Sequence, residues 1–260
     1  MEAISKLPNN KHILDVVDAF SYCSQFLRAK ELYGIIVNNQ YMQHVCLDKF
    51  MRRDNVFVIP HHWDTELEKI KLSNQSQLQF GYLGSISSLK YDENFLHHKT
   101  LSKQLDIKFL DCEFCQDVSG ILKSGNDIRD PLDSERMNIS NLNINFNCHF
   151  SIRDTSSDLF HYKTSAKVAT ASCLGHNIIT TAEKSVIDVL PEDYPFLLKD
   201  SKLHTITSMI NNVTQDYTSS KKLWNQGLTI MSKMKQLLSI DNITKKYIKL
   251  ITTIHTTKHK

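Results

Sequence analysis

Arg153, Lys163 and Lys167 gather three cations in one stretch, residues 145–184 (NFNCHFSIRDTSSDLFHYKTSAKVATASCLGHNIITTAEK). The stretch reads as a strand ending at Ile152, an exposed turn, a helix over 164–174 stopped by Gly175, and a second strand over 177–181. Lys163 and Lys167 are four residues apart and so share a helix face. Both fall at the positive end of the macrodipole, which disfavours a cation by about 0.3–1 kcal/mol. Arg153 follows the first strand and can point to the same place. An anion held between these cations and the N–H groups of Ser165 and Ala166 gives the arrangement a use, since a helix N-terminus after a strand is a common phosphate site in α/β proteins. The other reading leaves both lysines solvated and pairs Arg153 with Asp154 or Asp158.

Glu183 follows the second strand, where a carboxylate can accept hydrogen bonds from ribose hydroxyls; it also reads as a solvated helix start. In FGYLGS (80–85), the backbone at Gly84 and Ser85 can approach a ligand closely, or form a plain turn. Asp15 and Asp18 are within a short apolar segment and read as a capping pair or as a base. His61 and His62 are adjacent on an extended segment and point to opposite faces, so HHWD (61–64) reads as a structural junction rather than a metal site. Cys112 and Cys115 have CxxC spacing, but no second pair completes four ligands, so both are expected to be free thiols. No catalytic residue is assigned and no metal site is expected.

The surrounding elements alternate. Strands are expected near 12–20, 33–37, 56–59, 79–83, 107–111 and 194–198, with helices over 24–32, 40–50, 92–104, 114–123, 185–190 and 203–213. Two C-terminal helices follow. The first carries Trp224, Leu228, Met231 and Leu238 on one side; the second carries Tyr247, Ile251 and Ile254 on one face and Lys245, Lys246 and Lys249 elsewhere. The polar run 65–79 reads as a linker and 124–135 as a surface loop. Together these predict an α/β protein with a mainly parallel, doubly wound, Rossmann-like sheet.

The 260 residues suffice for one large or two small domains. A net charge of +3 gives no argument for nucleic acid. The N-terminal residues lack the apolar core of a signal peptide, no apolar run has membrane-spanning length, and the six cysteines are scattered, which together predict a cytoplasmic protein.

YKTSAK (162–167), then Ala169, Ala171, Gly175 and the strand at 177–181, resembles the donor half of GT-B glycosyltransferases. In that family a K-x-x-x-K segment followed by small residues and glycine receives the diphosphate of a nucleotide-sugar. VFVIPHHWD (56–64) is similar to the junction ending the family's first domain, and FGYLGS (80–85) to the first strand and glycine turn of its second. The resemblance covers about residues 50–200. It implies a shortened acceptor-side lobe with its linker over 1–75, a nucleotide-sugar-binding domain over 76–240, and a basic amphipathic helix over 241–260 that docks back across the cleft or lies on an anionic membrane surface. It further implies hexosyl-type transfer from a nucleotide-sugar, without metal or other cofactor, to a glycan or small-molecule acceptor. Diphosphate ligands would be Arg153, Lys163, Ser165 and Lys167, with Gly84 and Ser85 at the donor-side turn and Glu183 at the ribose. The first region is far shorter than a GT-B first domain, so part of the acceptor side is missing or on another chain. A degenerate domain that binds nucleotide or a protein partner without catalysis is the alternative.

Overall fold

The structure, a computed structural model, describes residues 12–16, 32–50, 55–63, 65–70, 72, 76–84, 95–111, 116–117, 143–156, 161–163 and 166–256. Ser85, Ser165, Asp18, Cys112, Cys115, the 124–135 loop and nearly all of the helix expected at 24–32 fall outside these residues.

Two separate sheets form. The first has the order β1 (His12–Val16), β2 (Leu32–Val37), β3 (Val56–Val58), with both pairings parallel. Helix α1 (Gln40–Phe50) covers one face, placing Met42, Val45 and Cys46 on Ile35 and Val37. The last helix, α7 (Ile240–Thr256), covers the other, placing Ile243, Leu250 and Ile254 on Ile36 and Ile59.

The second sheet contains β4 (Phe80–Gly84), β5 (Lys108–Asp111), β6 (Gln116–Asp117), β7 (Cys148–Ser151), β8 (Asn177–Thr181) and β9 (Leu197–Leu198), in the order β6-β5-β4-β7-β8-β9. All its pairings are parallel except β5 with β6. The chain runs outward from β4 through β5 to β6, then returns to the opposite side of β4 as β7. Winding therefore reverses between β4 and β7, and open α/β sheets bind ligands beyond the carboxyl ends of the strands at such a point. Helices α2 (Phe95–Gln104), α3 (Ala166–Leu174), α4 (Lys184–Ile187), α5 (Leu203–Thr218) and α6 (Lys222–Leu237) complete the fold.

Side chains alternate across the strands. Tyr82, Phe109 and Phe150 enter one core with Leu101, Ile206 and Trp224. Leu83 and Leu110 enter another with Phe146, Ala169 and Leu174. Gly81 leaves room for the Phe146 ring, since a Cβ there would lie 2.1 Å from it. Helix α3 ends at Gly175 with φ 71°, the left-handed conformation glycine tolerates. The Gly175 N–H donates to the Ser172 carbonyl and the His176 N–H to that of Ala171, a Schellman closure.

Several expectations are corrected. Residues 65–69 are a 3-10 helix rather than linker, because Leu67 and Ile70 are buried against Trp63, Leu83 and Leu174. Gln116–Asp117, expected within a helix over 114–123, instead form β6, antiparallel to β5, while the rest of that span lies outside the described residues. Strand β9 is confined to Leu197–Leu198, because Tyr194 instead turns its hydroxyl onto the backbone of Ile178 in β8. On α7 the buried stripe is Ile243, Tyr247, Leu250 and Ile254, and Ile251 is exposed. Stepping by seven rather than four from Tyr247 selects the face that meets the sheet.

Candidate functional site

The ends of β4, β7 and β8 come together at the winding reversal. Parallel pairing of Phe80 with Cys148 and Gly81 with His149 puts Leu83–Gly84 beside Ser151–Ile152. Pairing of Ser151 with Thr180 brings Arg153 level with the end of β8. Residues distant in sequence thus meet because parallel strands end together.

Lys167, in the first turn of α3, reaches back to β4. Its Nζ donates to the Leu83 carbonyl at 2.7 Å and stands 4.3 Å from the centre of the Tyr82 ring. A carbonyl dipole and the face of an aromatic ring each favour a cation, which offsets the unfavourable helix end. Gly84 makes this possible: a Cβ there would lie 1.7 Å from Lys167 Nζ. The glycine is within β4 rather than in a turn after it, and its role is to leave room for the ammonium. Three donors belong to a lysine ammonium, and the Leu83 carbonyl takes one.

Arg153 stands at the end of β7. Its Nη1 pairs with Glu183 Oε2 at 3.0 Å, while its backbone N–H donates to Thr181 Oγ1 at 3.0 Å. The Thr181 hydroxyl in turn donates to Glu183 Oε1 at 3.2 Å. Glu183 is 1% exposed, so the solvated reading of this residue is wrong. Arg153 pairs with Glu183 across the sheet as well as lying next to Asp154 in sequence; Asp154 Oδ1 accepts from the backbone N–H and hydroxyl of Ser156. Asp158 lies outside the described residues.

Lys163 is half-buried at the end of a segment tied to the first sheet's lobe. Asn38 Nδ2 donates to the Tyr162 carbonyl at 3.3 Å and Asn39 Nδ2 to the His161 carbonyl at 3.2 Å. Asn39 also caps α1, its Oδ1 accepting from the Met42 N–H at 2.8 Å. Tyr41 packs against the rings of His161 and Tyr162, with centroids 5.4 Å away in each case. From the second sheet's side, Asp188 Oδ2 accepts from the Gln40 N–H at 2.5 Å, a carboxylate at the positive end of α1. Sequence reasoning missed this junction. An Asn-Asn pair before a helix signals a cap, but nothing local says what its amide groups reach.

The other sequence candidates part ways. Asp15 accepts from the Tyr247 hydroxyl at 2.8 Å and so secures α7 to β1. Trp63 is buried in the second sheet's core, in keeping with a structural junction at 61–64. Cys46, Cys148 and Cys173 are buried thiols, and burial pushes that of Cys148 well above the usual range, making it inert. No described helix is long and apolar enough to cross a membrane.

No family model and no curated protein matches the sequence. Solved structures do match. A glycosyltransferase from Rickettsia africae ESF-5 superposes with TM-score 0.64 over 96% of this chain and 72% of its own, at 10% identity. Anabaena Alr3699/HepE, solved with UDP and glucose, gives 0.59 over 94% and 72%, at 12% identity. The pneumococcal O-GlcNAc transferase GtfA, solved with UDP and GlcNAc, gives 0.54 over 96% and 53%, at 14% identity. The chain therefore has the GT-B glycosyltransferase fold, and it spans about half the length of GtfA.

Proposed function

We propose that this protein is a nucleotide-sugar-dependent glycosyltransferase whose donor diphosphate binds between β4, β7 and the N-terminus of α3. The observation that carries the reading is the presence of Lys167 and Arg153 at neighbouring strand ends on either side of the winding reversal. Ligands in open α/β sheets bind at that point, and UDP and glucose accompany a structural neighbour that shares the fold. Lys163 and the N–H groups of Ser165 and Ala166 complete the proposed anion site, with Gly84 and Ser85 beside it. In this reading residues 76–240 are the donor half, 1–75 a shortened acceptor side, and 241–260 the closing helix.

Transfer of a hexosyl group breaks the bond between the sugar's anomeric carbon and the diphosphate oxygen as an acceptor hydroxyl attacks that carbon. Negative charge grows on the departing diphosphate. Fixed cations and helix N–H groups stabilise that charge more than the ground state, which lowers the barrier. These protein cations take the place that a metal ion would otherwise fill. The acceptor is a glycan or small molecule. The three-stranded first sheet among the described residues also fits a domain that binds nucleotide without transferring sugar.

A thermal-shift panel of nucleoside diphosphates and nucleotide-sugars tests the donor site. A ligand at one hundred times its dissociation constant adds about 2.7 kcal/mol of stability. Failure of every member to raise the melting temperature would sink the proposal. Release of nucleoside diphosphate from a bound nucleotide-sugar, in the presence of an acceptor pool, separates transfer from binding alone.

A further inference from the structure

Glu183 is a carboxylate placed where the donor-site reading puts an anion, and like charges repel. Its surroundings resolve the conflict. It is buried, one oxygen taking the guanidinium of Arg153 at 3.0 Å and the other the hydroxyl of Thr181 at 3.2 Å. Thr181 simultaneously accepts the backbone N–H of Arg153 at 3.0 Å. Residue 153 is therefore held twice, its backbone by Thr181 at the end of β8 and its side chain by Glu183 just past it. The Arg153 side chain remains 20% exposed while Glu183 lies beneath it at 1%. A guanidinium has five N–H donors in a rigid fork, more than the contact with Glu183 uses.

We infer that Glu183 is a positioning residue: it orients Arg153 toward the donor diphosphate and does not itself bind the ribose. The inference rests on the donor-site reading. A flexible arginine at the end of a strand samples many rotamers. Anchoring it beforehand removes that ordering step when the ligand binds. The electrostatic cost of a carboxylate near the diphosphate is contained, because Glu183 is neutralised by the residue it holds.

Glu183→Gln preserves shape and a partner for Thr181 but removes the charge that fixes the guanidinium. Affinities are measured by calorimetry below the variant's melting temperature for inorganic pyrophosphate and for the tightest binder among UDP, ADP, GDP, CDP and dTDP. Positioning predicts that both ligands weaken by the same factor, roughly 10- to 100-fold. It also predicts that adding Glu183→Gln to Arg153→Met weakens pyrophosphate no further. Should Glu183→Gln not fold, Glu183→Asp draws the charge back by one methylene and carries the same expectation. Three results would overturn the inference: unchanged or tighter pyrophosphate binding, loss confined to the nucleoside diphosphate as for a ribose ligand, or a lower melting temperature with affinities intact. If the parent protein binds neither pyrophosphate nor any nucleoside diphosphate, the donor-site reading itself fails and the inference falls with it. Binding by the parent with no effect of Glu183→Gln removes the positioning role alone.

Discussion

Lys167 shows how a residue placed against its local electrostatics can be held by contacts from elsewhere in the chain. A cation in the first turn of α3 is unfavourable on the helix alone, yet the Leu83 carbonyl and the Tyr82 ring accept it. Lys167→Ala removes a hydrogen bond and a cation–π contact, so it should destabilise the fold by about 1–2 kcal/mol. It should also weaken nucleoside diphosphate binding by about 10- to 150-fold if one charge-assisted hydrogen bond is lost. Chemical denaturation and calorimetry read the two effects separately. Affinity equal to the parent's would place the phosphate site elsewhere. Gly84→Ala should reproduce the affinity loss, because the new Cβ occupies the position of the ammonium. The sequence singled out the lysines, Arg153 and Gly84, and the structure sets Lys167 against Gly84, and Arg153 at the end of the neighbouring strand. Their actual partners were not legible there, because Leu83 lies in β4 and Glu183 just past β8, and no local spacing encodes parallel register. Gly81, the other glycine of FGYLGS, leaves room for the Phe146 ring in the core.

At the scale of elements, β7, α3 and β8 carried strong local signals. Asn-Ile-Ile-Thr-Thr is rich in β-branched residues, and Gly175 supplies the left-handed stop the preceding helix requires. Polar composition hid the 3-10 helix at Thr65–Lys69, where Leu67, with Ile70 just after it, is buried in the core. Between β7 and β8 a buried histidine pair sets an acid limit. His149 Nε2 and His176 Nδ1 are 3.2 Å apart. Burial lowers His149 well below its ordinary 6.5, helped by the charges of His176 and Lys167, and burial alone brings His176 to about 4. Both are held neutral in the fold, whereas the unfolded chain takes up their protons near 6.5. Stability is therefore full above that pH and falls as pH drops from about 6.5 toward 4, by on the order of 3 kcal/mol from His176 alone. Urea unfolding across this window should show the loss. His149→Gln, which removes one titrating group and keeps a hydrogen-bonding partner, should give a shallower dependence. An equally steep dependence would assign the acid sensitivity to other groups.

Among the described residues, two features in particular join the two sheets. One is the junction of Asn38, Asn39 and Tyr41 with His161 and Tyr162. The other is α7, which leaves the second sheet's side after α6 and closes the open face of the first. Its amphipathic character was legible, and so was a return across the cleft as one of two destinations. The buried stripe was displaced, because the helix rolls until Ile243, Leu250 and Ile254 meet Ile36 and Ile59. Tyr247 completes the contact: burial, and then the Asp15 carboxylate, push its phenol well above the ordinary range, so it stays protonated and donates to Asp15. Each fully buried aliphatic side chain contributes about 1.5–3 kcal/mol. Three of them approach the net stability of a typical domain, about 5–15 kcal/mol. Ending the chain at Ser239 should therefore unfold the first sheet selectively. Hydrogen exchange should accelerate at Ile35, Ile36 and Val37, while Phe150 and Ile179 in the second sheet stay protected. Leu250→Ala, a milder change, should cost about 2–5 kcal/mol at the same place. Unchanged protection of β2 in the shortened chain would mean that α1 alone stabilises the first sheet, and that α7 contributes surface rather than structure.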